Sequence, residues 1–168
     1  NFKDYEKSKF FLNEILSQEI NSKFKIYAEK NKFNLNRLIS YEKNILENKN
    51  KDDNIYKSGE ILAFNLKQAD SSKIFFKKII KDYYESEYFL KSLFSMYLIE
   101  KDLEQKNYYK SIILNDFKNS NYAKFIIENE ELNLEFLPAI MLKTAENKLN
   151  LESPIFLESY KNISSMEG

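Results

Sequence analysis

The sequence predicts an all-α fold, and three observations carry that prediction. The 168 residues include only two Gly and two Pro, whereas hairpin turns depend on residues that reach positive φ or hold φ near −65°. Apolar residues recur at three- and four-residue steps, the spacing of one helix face. A self-similarity at an offset of 34 residues organises the middle of the chain. A chain of this length buries roughly 70% of the surface its unfolded form exposes, enough for one domain with a real core.

From Asp4, a cap residue, the stripe Phe11, Leu12, Ile15, Leu16, Ile20, Phe24, Tyr27 and Ala28 predicts a long helix, broken near Asn21-Ser22. Asn34 is placed to cap a second helix through Leu35, Leu38, Ile39, Ile45 and Leu46. Residues 1–50 thus read as an N-terminal helical segment. The stretch from Glu47 to Asn54 has no apolar residue and reads as a solvated linker. Its adjacent Asp52 and Asp53 lack the alternating carboxylates and turn glycine of a calcium loop.

Sliding residues 54–88 by 34 positions pairs Lys57 with Lys91, Ser58 with Ser92, Lys67 with Lys101, Ile79 with Ile113, Asp82 with Asp116, Ser86 with Ser120 and Tyr88 with Tyr122. The densest agreement lies where an apolar stripe ends at an aromatic residue, a short polar turn follows, and Ser86 or Ser120 is placed to cap the next helix. Each copy therefore reads as helix, turn, helix, turn. The helices are expected near 55–67 and 71–83 in the first copy, and near 88–101 and 106–117 in the second.

This period and pairing resemble the tetratricopeptide repeats over about residues 54–127. Gly59 lies in the first helix, and Ser72, Phe76 and Ile79 stand at the spacing of the family's small, large and small positions in the second. The departures are Tyr84 and Lys118 in place of the turn proline, and Lys110 in the slot held by Phe76. The polar turn before Tyr122-Ala123-Lys124 resembles the divergent repeats of bacterial cell-envelope lipoproteins, of the outer-membrane assembly and gliding or secretion accessory type. The resemblance implies an α-α superhelix of helical hairpins and a periplasmic or outer-membrane-associated setting, the cytoplasm being the alternative.

Beyond the second copy, Glu128 to Glu135 reads as an acidic connection. Helices are then expected after Pro138 (Ile140, Met141, Leu142, Ala145, Leu149) and from Ser153-Pro154 (Ile155, Phe156, Tyr160, Ile163). Together they make residues 135–166 a third, divergent hairpin. A chain that opens on Asn1 and stops at Gly168, where another repeat would begin, is expected to be a mature form or an excised fragment.

Composition removes whole classes of chemistry. With no His and no Cys, a Ser-His-Asp triad, a thiol nucleophile and a Cys/His zinc site are all excluded. The 26 basic residues balance 26 acidic ones, which gives no electrostatic warrant for nucleic acid. No apolar run is long enough to span a bilayer. Apart from Arg37 every basic residue is a lysine, a bias that fits an AT-rich genome better than a function. No cofactor or metal is expected: the cluster Glu128, Glu130, Glu131 reads as a solvated loop, and no carboxylate or lysine pair forms an identifiable catalytic set. The 12 Tyr and 14 Phe are expected mainly in the core, with Tyr84 and Tyr108, near turns, as candidate contacts.

Stacked hairpins line a concave groove with their first helices. The resemblance implies a non-enzymatic adaptor that binds a protein or peptide partner there. By repeat register the contacts are Tyr56, Glu60, Ala63 and Phe64, with Leu90, Phe94 and Tyr97 from the second copy. Packing between repeats is the competing role of Phe64 and Phe94. Tyr56 and Glu60 occupy two places where the carboxylate-clamp members carry Lys, Asn or Arg, so a C-terminal carboxylate is a disfavoured ligand. The alternative is a structural module that fills its groove with residues 4–46 and assembles as a homo-oligomer. A hydrolase built on carboxylates or a Ser-Lys pair is the remote third reading.

Overall fold

Long runs of helix formers without Gly or Pro fold as helices across the described residues. The computed structural model describes residues 2–131 other than residue 20, and among them lie seven α-helices and no strand. These are α1 (Phe2–Leu16), α2 (Ser22–Leu46), α3 (Lys51–Glu60), α4 (Ala69–Asp82), α5 (Tyr88–Ile99), α6 (Leu103–Asp116) and α7 (Asn121–Glu131). The chain divides into two compact units, Asn1–Ile112 and Ile113–Gly168. None of the described helices is long and apolar enough to cross a membrane.

The 34-residue offset is written into the helix boundaries. Moving Ala69–Asp82 along by 34 gives Leu103–Asp116, and α5 ends 34 residues after Asn65, where the helical run begun by α3 ends, although α3 itself opens earlier than the offset places it, at Lys51. Ser120 acts as a cap, its Oγ accepting from the Ala123 amide at 3.1 Å, whereas Ser86 stands one residue ahead of the cap position Glu87 and its Oγ accepts from the Tyr88 amide, also at 3.1 Å.

In the first unit α1 packs on α2, α2 on α3, and α3, α4 and α5 on one another. Gly59 is required where α3 meets α4. A Cβ there would stand 2.8 Å from the Phe76 ring, and Phe76 is fully buried. Ser72 and Ile79 on α4 are also fully buried. Leu38 of α2 joins Ile61 and Leu62 in a cluster covered by Tyr5, Tyr41, Leu66 and Phe75. In the second unit Ile113, Tyr122, Ala123, Phe125 and Ile126 are buried.

The end of α3 departs from regular helix. It runs on into one π-helical turn, Ile61–Asn65, closed by Leu66 N–H to Ile61 C=O at 2.9 Å and Gln68 N–H to Leu62 C=O at 2.7 Å. Each bond spans one residue more than at an ordinary helix end. Lys67 at φ 55° takes the left-handed position that Gly usually fills.

Three expectations are corrected. Asn34 caps nothing: it is buried in the interior of α2, because no Gly or Pro in the preceding turn stops the helix. Asn21 caps instead, its side chain accepting from the Lys23 amide at 2.9 Å. The supposed linker is a four-residue turn, since Lys51 already opens α3 and Asn54 is buried. Asn48 and Asn50 supply its positive φ values, and Asn54 Nδ2 ties it down by donating to the carbonyls of Lys49 and Asn50. Residues 128–131 continue α7 where a connection was expected, glutamate being a good helix former. The hairpin expected over residues 135–166 lies outside the described residues.

Candidate interaction surfaces

The seven residues expected to carry recognition fall into two groups. Tyr56, Phe94 and Tyr97 are buried, at 3%, 0% and 7% exposure. Glu60, Ala63, Phe64 and Leu90 are half-buried. Tyr56 stacks on Tyr88 with ring centroids 5.0 Å apart and lies 5.8 Å from the Phe76 ring. Phe94 and Tyr97 meet at 5.9 Å within α5. Tyr56 thus packs against rings of other helices, Phe94 and Tyr97 lie in the interior, and Glu60, Ala63, Phe64 and Leu90 keep part of their surface in solvent.

Helices α3 and α5 lie side by side with their N-termini together, held by polar bonds that sequence reasoning missed. Ser86 Oγ donates to Asp52 at 2.7 Å, and the Tyr88 hydroxyl donates to Asp53 at 2.6 Å. Lys57 Nζ donates to the second Asp53 oxygen at 2.8 Å. Burial pushes the Asp53 carboxyl up, but the bonds from Lys57 and Tyr88 together outweigh it and leave the group below the ordinary carboxylate range. The bond to Asp53, with burial, pushes the Tyr88 hydroxyl well above the usual tyrosine range. A signal for one contact was present: Asp52 and Ser86 are 34 residues apart, so the repeat places equivalent positions in contact.

Beside this seam lies a hollow of about 340 Å³ lined by Asp52, Asp82, Tyr83, Tyr84, Glu85 and Ser86. Among the described residues no group of acidic side chains is arranged to hold a metal ion. Tyr84 is 71% exposed and donates to Glu85 at 2.9 Å; Tyr108 is exposed as well. At the other end of α5, Lys73 pairs with Glu100 at 2.8 Å. The Lys73 bond, reinforced by the amides of Lys101 and Asp102, holds the Glu100 carboxyl below its usual range against the opposing effect of burial.

The N-terminal hairpin contrasts with this seam. Phe10, Phe11, Ile15, Phe24, Tyr27 and Phe33 are exposed there, although four of them belong to the stripe expected to face the core. A second hollow, of about 490 Å³, is lined by Leu16 of α1 and by Lys25, Glu29, Lys32, Phe33 and Asn36 of α2. Next to it the Arg37 guanidinium lies between the rings of Phe33 and Tyr41, 5.7 Å from each centroid, and donates to the Tyr41 hydroxyl at 3.1 Å. Comparison of the chain with protein-family models, with curated proteins and with solved structures returned no match.

Proposed function

We propose that the chain is a non-enzymatic protein-interaction scaffold of tetratricopeptide-like hairpins, taking a partner protein or peptide along the first helices of the hairpins. The observation that carries this reading is the recurrence of whole helices at the repeat offset, Ala69–Asp82 and Leu103–Asp116. Repetition of this kind generates extended surface without a deep pocket. The half-buried Glu60, Ala63, Phe64 and Leu90 are the contact positions, and the buried Tyr56, Phe94 and Tyr97 fix their spacing. By resemblance the setting is a bacterial envelope complex.

A second reading, self-assembly with the groove internally filled, is favoured by the burial of those three aromatic residues. The two are separated by placing a photo-crosslinking residue at Glu60 or Leu90 and exposing the chain to native lysate. The scaffold reading expects one discrete crosslinked partner from both positions. Crosslinks only between copies of the chain, with a stable oligomer by light scattering, would replace it with self-assembly.

A further inference from the structure

Helix α2 carries exposed apolar groups and cations without ion pairs among the described residues. Two cations elsewhere in the first unit are held close: Lys57 lies 2.8 Å from Asp53, and Lys73 lies 2.8 Å from Glu100. Lys25, Lys32 and Arg37 make no ion pair among the described residues, although Glu29 stands four residues from Lys25 and three from Lys32. Phe33 is 61% exposed. Tyr41 engages one N–H of Arg37, and a guanidinium has five to offer.

Lys25, Glu29, Lys32, Phe33 and Asn36 follow one another at helical spacing along a single side of α2. The strip is roughly 17 Å long at about 1.5 Å per residue, the length of about three turns of an apposed helix. Its apolar walls are Leu16 and Phe33. Counting Arg37, three cations face one carboxylate, an excess that the evenly balanced composition does not impose.

We infer that this strip docks an acidic amphipathic helix of a partner protein, whose apolar side chains enter the hollow beside Leu16 and Phe33 and whose carboxylates meet Lys25, Lys32 and Arg37. A second copy of the chain would oppose cations to cations. A bilayer has no side chain to fill a hollow. The inference rests on the scaffold reading but assigns a face different from that of α3 and α5.

The test is fluorescence anisotropy on the full chain with a labelled synthetic peptide bearing Leu and Phe at helical spacing and Glu between them. Saturable binding that weakens with salt is expected. The K25E/K32E double variant and, separately, R37E should each weaken it about tenfold or more, with far-UV circular dichroism unchanged. Equal binding of a peptide with Lys in place of Glu would overturn the inference. So would indifference to the charge reversals, or binding only to anionic phospholipid vesicles. If the reversals have no effect while crosslinks from Glu60 and Leu90 still reach a partner, the α2 face fails and the scaffold reading stands.

Discussion

The α1–α2 hairpin and the α3–α4–α5 packing use the same residue types to opposite ends. Phe76 and Phe94 have no exposed surface, whereas Phe24 and Phe33 are 69% and 61% exposed. Helical periodicity is present in both regions. What differs is the supply of neighbours: α3, α4 and α5 each pack on the other two, while α1 packs mainly along α2. A stripe marks the face a helix is able to bury, and burial follows only where a second surface arrives. Asp52, Asp53, Lys57, Ser86 and Tyr88 satisfy one another, while Lys25 and Lys32 are left without ion pairs among the described residues.

The largest test of this contrast is truncation of one Phe in each region. Phe76→Ala should cost about 3–5 kcal/mol in urea unfolding, by loss of burial and creation of a cavity. Phe24→Ala should change stability by less than about 0.5 kcal/mol, as at any exposed site without partners. Equal losses would mean that the N-terminal hairpin packs as tightly as the rest.

A smaller effect is expected at Gly59. Ala gains about 1 kcal/mol of helix propensity over Gly, but its methyl would strike the fully buried Phe76 ring, and overpacking costs about 1–3 kcal/mol. A net loss of about 1 kcal/mol is predicted for Gly59→Ala; a gain would show that the ring yields.

The smallest effect is a divergence in acid. Asp53 and Glu100 lie below their ordinary values of 3.8 and 4.5 in the folded chain, so the unfolded chain binds more protons in that window. Their stabilisation is complete above those values and is lost as pH falls through the lower folded ones. Glu42 of α2 is raised above 4.5, burial being the largest cause. Its contribution has the opposite sign: it is present in full below 4.5 and lost as pH rises through the raised value. Hydrogen exchange followed from neutral pH down to about pH 2 should show relative protection falling, once the ordinary values are passed, at the N-termini of α3 and α5 beside Asp53 and at the C-terminal end of α5 beside Glu100, and holding around Glu42. A uniform change along the chain would remove the distinction.

The all-α class and the position of most helices were legible because both follow from local pattern: sparse turn residues, a period near 3.6, and serines placed before helix starts. The contacts of the N-terminal stripe were not, since exposure depends on what packs opposite, and periodicity carries no information about that. The run Asn48-Lys49-Asn50-Lys51-Asp52-Asp53-Asn54 misled for a related reason. Its polarity suggested solvent, yet Asn48 and Asn50 suit left-handed backbone and Asn54 binds the turn to itself. Of the seven expected recognition residues, the sequence could place Tyr56, Phe94 and Tyr97 on first helices. It could not tell whether a ring on such a helix meets a partner or the neighbouring hairpin, and here Tyr56 meets Tyr88.

The bond between Asp52 and Ser86 closes a loop of 34 residues, and the Lys73–Glu100 pair closes one of 27. Both tie a helix to the hairpin next to it in the chain, so ordering one hairpin prepares the site on which the next condenses. The entropy of bringing such ends together grows only with the logarithm of loop length, and structures dominated by local contacts fold fast. A chain assembled this way gains its structure in short successive steps from either direction, with no distant pairing required to begin.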